Sequence, residues 1–311
     1  YKPDLIFSTN IFSPIDVRVL KDSKKNKIKS ISSLKSWDTA TMKGYVVVNS
    51  DKLIVYNDIQ KREMIKYQQV PEEKLVVLGN PGYDTYFNEK GLMAKEDFCK
   101  FAGLDPNKKI IFINISAKVI NQFPEDPIVF VDRWISEGKI KHPAQILINP
   151  RSKYGFSEDI LKNSKNIVIH TTADKIEGGA KENYKFDEIE IYDLKNCLYH
   201  ADAVITTAST LAIEAALTDT PSISLGFDFR PVNYWLSASV RNIDEHFWNV
   251  RQTGGVVVAN SQQELIDYIN NYLDNPELHK QERLAVARQQ AQFLDDKSGK
   301  RVGEFLLANL D

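Results

Sequence analysis

The feature that most restricts the fold is an alternation. Short runs rich in Ile, Val and Leu trade places with helical patterns from one end of the 311-residue chain to the other. "DLIFST", "IKSISSL", "KLIVYN" and "KLVVLG" form a first group, with helical stretches at Ile15 to Asp22 and Asp58 to Tyr67 among them. A polar stretch at Asn88 to Gly91 and a helix at Lys95 to Ala102 lead to a second group. That group holds "KKIIFINIS", "AQILIN", "NIVIH", "DAVITT", "SISLGF" and "GGVVVAN", with the amphipathic "PIVFVDRWISEG" among them. Continuous apolar runs suit strands buried on both faces, and strands separated by helices build parallel sheets. The expectation is an α/β chain with two such sheets. Ser261-Gln262-Gln263-Glu264 reads as a capping box opening a helix that reaches Leu273, with further helices at Glu277 to Phe293 and in "KRVGEFLLANL".

Composition excludes several classes. With 42% hydrophobic residues there is enough apolar material for real cores, and a net charge of -2 gives no footprint for nucleic acid. Cys99 and Cys197 are far apart and form neither a disulfide framework nor a zinc pattern, which suits a reducing cytoplasm. No apolar run approaches the ~20 residues of a membrane span. The lysine run from Lys21 to Lys29 reads as a solvated link between a helix and a strand. "KPDLIFST" is a strand in full stride at the start of the chain, which reads as the downstream part of a longer protein.

The chemistry concentrates in "ADAVITTASTLAIEAALTDTPSISLGFD". A turn made only to reverse the chain would favour Gly, Asn or Pro, yet this strand runs into Thr206, Thr207, Ala208, Ser209 and Thr210 before a helix to Leu217. Hydroxyls at a helix N-terminus, beside uncompensated N–H groups and the positive dipole end, suit a phosphate. Glu214 lies four residues after Thr210, on the same helix face, where a carboxylate suits a ribose diol. Set against this, Ser209 is simply a helix cap and Glu214 a solvated residue. Neither G-x-G-x-x-G nor a P-loop pattern follows any strand, and no His/Cys cluster or Asp-x-Asp pair offers a metal site. The five histidines are scattered and read as surface or satisfied core residues.

A second stretch, Ser33 to Phe87, resembles the N-domain end of bacterial surface-polysaccharide glycosyltransferases of the GT-B fold, including relatives of the CDP-glycerol glycerophosphotransferase group. The resemblance lies in Ser36-Trp37-Asp38, Thr41, Lys43-Gly44, a Lys/Arg-rich helix, and Gly79-Asn80-Pro81 with Asp84. "DLKNCLYHADAVITTASTLAIEAALTDTPSISL" is similar to the donor-binding segment of the same enzymes, and "DDKSGKRVGEFL" to their closing element. The resemblance implies two Rossmann-like domains facing each other across a cleft. Here that gives a partial, acceptor-side N-domain over 1–90, a donor domain over 91–285, and C-terminal helices over 286–311 that pack back on the first.

It further implies Ser209, Thr210 and Glu214 at the donor phosphate and ribose. Asn149 stands where relatives often carry His before Pro, with Arg151 supplying positive charge to phosphate. Asn114 and Ser116 would line the opposite wall. Asp38 would act as catalytic base, Trp37 would stack on a sugar, and Lys43 would approach the diphosphate, whereas the bland reading makes "SWD" a helix cap, places Trp37 in the core and leaves Lys43 to its turn. Asp84 would fix the interdomain linker. The implied activity is metal-independent and cofactor-free transfer of a sugar or polyol phosphate from a nucleotide-activated donor to a glycan or lipid-linked glycan acceptor. It would take place in the cytoplasm or at the inner membrane face, by peripheral association. A UDP-sugar 2-epimerase and a non-catalytic nucleotide-sugar-binding protein are the alternatives.

Overall fold

Every strand pairing in the computed structural model, which describes residues 3–113, 122–149, 164–170 and 188–310, is parallel. The chain divides into two units, residues 1–88 with 287–311 and residues 89–286.

In the first unit β1 (Leu5–Ser8), β2 (Lys29–Ser33), β3 (Lys52–Val55) and β4 (Leu75–Val77) lie in sequence order in one sheet. Side chains alternate across a strand, so β3 sends Leu53 and Val55 to one face and Ile54 to the other. Leu53 and Val55 join Ile11, Leu34, Met64 and Leu75 in a core. Ile54 meets Ile31 and, from α12 (Ser298–Leu307), Val302, with Phe305 and Leu306 packed against them. Helices are thus placed on both faces of the sheet.

The intervening helices are α1 (Pro14–Lys25), α2 (Thr39–Met42) and α3 (Asp58–Gln68). Helix α1 has Ser13 as N-cap, accepting from the Asp16 N–H, and Pro14 in its first turn. It runs a turn beyond the span its sequence suggests because Lys24 and Lys25 answer the negative end of the dipole. The lysine run is therefore helix end and connection to β2. Asp84 does not serve a linker between units; it accepts from the N–H groups of Ser298 (3.0 Å) and Gly299 (2.7 Å) and so caps α12 within the first unit.

In the second unit the sheet order is β10-β9-β8-β5-β6-β7. Its strands are β5 (Lys109–Ile113), β6 (Ala144–Ile148), β7 (Ile167–Ile169), β8 (Ala203–Thr206), β9 (Ser222–Leu225) and β10 (Val256–Ala259). Helices α4 (Lys95–Ala102), α5 (Asp126–Ser136), α6 (Glu188–His200), α7 (Thr210–Leu217), α8 (Ala238–Arg241), α9 (Glu245–Arg251) and α10 (Gln262–Asp274) alternate with them. The core gathers Ile111, Ile146, Ile205, Ile223 and Leu265, with Trp134 and Tyr272 filling its margins. Half of the capping box forms: the Glu264 N–H donates to Ser261 Oγ, while the Glu264 carboxylate reaches back past the cap and accepts from the N–H of Asn260. Helix α11 (Lys280–Ala291) carries the chain from the second unit into the first and is shorter than the Glu277–Phe293 span expected.

Candidate functional site

The order of the second sheet locates the crevice. From β5 the chain builds outward through β6 and β7, then returns to the other side of β5 to lay down β8, β9 and β10. The order reverses between β5 and β8, and in open α/β sheets ligands bind beyond the carboxyl ends of the strands at such a point. The turn leaving β8 there is the hydroxyl-rich one.

Its geometry is specific. Ser209 holds the N-cap position of α7 with extended backbone, but its side chain makes no cap hydrogen bond. Its Oγ lies 2.6 Å from Thr206 Oγ1 instead. The helix start is thus left open by the residue best placed to close it, which sets aside the simple capping role. Ala208 sits at φ +27°, a left-handed backbone rarely taken by a residue with a side chain. What holds it is a buried relay. The Ala208 N–H donates to Ser224 Oγ (3.0 Å), Ser224 donates to Asn242 Oδ1 (2.8 Å), and the Asn242 amide donates to the carbonyls of Leu225 and Ala238. Within α7 every residue is buried except Thr210 and Glu214. The apolar composition of this helix fixes it in the core, and the two polar positions, one turn apart, are the side left facing outward.

Asn149, just past β6, lies two strands from β8, about 10 Å at the usual strand spacing. Its Nδ2 donates to Asp193 Oδ2 (2.7 Å), and Asp193 Oδ1 lies 2.7 Å from His170 Nε2 at the end of β7. The His170 and Asp193 side chains are 8% and 2% exposed. His170 takes the satisfied core role rather than the surface one of the two that the sequence left open, but the carboxylate beside Asn149 was not legible: Asp193 is distant in sequence and enters from α6. Asn149 is thereby fixed in orientation. Asn114, Ser116 and Arg151 lie outside the described residues.

The first unit has its own recess, a cavity of about 680 Å³ at the carboxyl ends of all four strands, lined by Thr9, Lys35, Tyr56 and Asn80 among others. Asp38 adjoins it. It stands before α2 without capping it; Oδ2 pairs with Lys43 Nζ at 2.9 Å, and Oδ1 is buried with no hydrogen-bond partner. Burial first, and the Asp38 charge second, push the Tyr56 phenol well above its usual range, and its hydroxyl donates to the Leu34 carbonyl (2.7 Å). Trp37 is 8% exposed, so its indole takes the core place and is not presented for stacking on a sugar.

No protein-family model matches the chain, and no curated protein matches it in sequence. Solved structures do. Over 99% of its length the chain is similar to UDP-GlcNAc 2-epimerase from Neisseria meningitidis bound to UDP-GlcNAc, with TM-score 0.61, 14% identity and 77% of that chain covered. The UDP-GlcNAc 2-epimerase of Methanocaldococcus jannaschii, in complex with UDP-GlcNAc and UDP, is similar over 99% of the chain and 76% of its own (TM-score 0.60, 17% identity). A variant of the wall teichoic acid polymerase TagF is similar over 99% and 89% (TM-score 0.55, 12% identity). At these identities the likeness is one of fold, and the chain has the α/β GT-B architecture of two Rossmann-like domains that these proteins share.

Proposed function

We propose that the chain transfers a sugar or polyol phosphate from a nucleotide-activated donor to a glycan acceptor. The observation that carries this is the strained, hydroxyl-lined turn at the switch point, opening a helix whose unburied positions are Thr210 and Glu214. The N–H groups of α7 with Ser209 and Thr210 hold the donor diphosphate, and Glu214 accepts from the ribose hydroxyls. Asn149, held by Asp193, contacts the donor, and Arg151, Asn114 and Ser116 are assigned to donor binding from the sequence alone. As the acceptor oxygen attacks the anomeric carbon, its proton passes to Asp38. The bond from that carbon to the nucleoside diphosphate breaks as the new one forms, and the leaving group departs with the electron pair, its charge stabilised by the α7 donors, an effect that supplies much of many enzymes' rate. For a polyol phosphate the acceptor oxygen attacks phosphorus instead and the nucleoside monophosphate leaves. Lys43 pairs with the Asp38 carboxylate at 2.9 Å and positions it. This reading calls for no metal and places the protein in the cytoplasm or against the inner membrane face.

A second reading, a nucleotide-sugar 2-epimerase, is supported by the solved epimerases of the same fold. Two experiments decide. Calorimetric titration with UDP, CDP, GDP and CMP is expected to show one preferred nucleoside diphosphate, bound at least 10-fold more weakly by Ser209→Ala and Glu214→Ala. No nucleotide binding by the folded chain sinks both readings. The matching nucleotide sugar, followed by NMR without acceptor, stays unchanged for a transferase; appearance of an isomer or free sugar makes the protein an epimerase.

A further inference from the structure

The recess in the first unit has a lining whose chemistry selects its ligand. At about 680 Å³ it falls within the ~300–1,000 Å³ of small-molecule sites, and residues of this unit alone line it. Among the described lining residues the charged ones are Asp16 and Lys35. Asp16 is built in: Ser8 Oγ lies 2.6 Å from its Oδ1, and the Ser13 hydroxyl donates to Oδ2. It occupies the first turn of α1, so the positive end of that helix already has its counter-charge. A phosphate entering here meets a fixed carboxylate and a single exposed lysine, which is a poor anion site.

The other polar groups are oriented just as firmly. Asn10 Oδ1 accepts from the Phe12 N–H (3.0 Å) and Asn80 Oδ1 from the Gly82 N–H (3.0 Å). With both amide oxygens committed to backbone, what each asparagine offers is its NH₂ donors. An ionised carboxylate accepts several hydrogen bonds, so each Asp16 oxygen, already holding one serine hydroxyl, still serves as an acceptor, and Thr9 adds a hydroxyl of either sense. Phe7, 40% exposed, gives an apolar face at the rim. Paired donors and acceptors beside an exposed ring fit a ligand with many hydroxyls and one apolar C–H face.

We propose that this recess binds the uncharged saccharide end of the acceptor, in preference to an anionic polyol phosphate; its role as an acceptor site rests on the transferase reading above. The test uses the full chain on a printed array of neutral and anionic glycans, followed by NMR titration of the best neutral disaccharide and of glycerol 3-phosphate. Phe7→Ala, Thr9→Val and Asp16→Asn are compared, each checked for an intact melting transition, with nucleotide titrated into the same samples. Neutral saccharides should bind, at least 5-fold more weakly in Phe7→Ala and Asp16→Asn, while glycerol 3-phosphate does not bind. The proposal is overturned by glycerol 3-phosphate binding that is lost in Lys35→Ala. It is equally overturned by neutral saccharide binding that none of the recess variants alters, or by no saccharide binding to the folded chain. If the saccharide binds in the recess and no nucleotide binds, the recess stands and the transferase reading fails. If the nucleotide binds and no saccharide does, the reverse holds.

Discussion

Ala208 and Ser224 are the residues on which the shape of the hydroxyl-rich turn depends. A residue with a side chain at positive φ costs ~1–2 kcal/mol, and glycine removes that cost at an entropic penalty of ~0.5–1 kcal/mol. Ala208→Gly should therefore leave the melting temperature unchanged or slightly higher and keep nucleotide affinity; a clear drop in the melt would show that the turn is not strained. Ser224→Ala removes the acceptor for the Ala208 N–H and the link to Asn242. A buried hydrogen bond of this kind is worth ~1 kcal/mol, so nucleoside diphosphate should bind ~5-fold more weakly while the nucleoside alone binds as before. Equal weakening of both would mean that Ser224 supports the sheet and not the turn.

At the scale of elements, the last helix is held by the side chain of Arg301. Arg301 donates to both oxygens of Asp295 (2.8 and 3.0 Å) and to the Leu78 carbonyl (3.1 Å), and its guanidinium lies 4.0 Å from the centre of the Phe293 ring. Hydrogen bonding from Arg301, above all, holds the Asp295 carboxyl below its usual range. A group depressed in the folded state stabilises above its unfolded pKa, near 4 for Asp, and that contribution disappears as pH falls through the lower folded value. Because Asp295 is 40% exposed, solvent screening limits the contribution to about 1 kcal/mol. Asp295→Asn should melt ~1–4 °C lower at pH 7, and the gap from the wild type should close below pH 3. A gap that persists in acid would assign the effect to packing against Phe293.

Across the whole molecule, each unit carries its own apolar core, one around Leu53 and Met64, the other around Ile111 and Ile205. Multidomain chains commonly depart from two-state unfolding. Calorimetry should resolve two transitions, and nucleotide at 100 times its Kd should stabilise the second unit by ~2.7 kcal/mol, raising one transition and leaving the other in place. A single transition that shifts as a whole would show that the units unfold together.

How much of this was legible beforehand follows from where the information resides. Helix α7 and strand β9 begin and end where "TLAIEAAL" and "SISL" begin and end, because an apolar run and Pro221 act over a few neighbours. Asp38 announces itself as a carboxylate after a strand, yet whether it capped α2 depended on Lys43 reaching it. The side chain of Trp37, equally polar-looking and apolar in sequence, was settled by burial. Asp193 beside Asn149, Asn242 behind Ser224, and Asp84 under α12 join residues from 18 to 214 positions apart. No local pattern encodes such pairs; they exist only once parallel crossovers bring strand ends together. Local sequence determined the alternation, the caps and the hydroxyl-rich turn, because those forces act within one turn of chain. The strand order that puts that turn at a switch point, and the side chains that hold it there, were decided by tertiary packing.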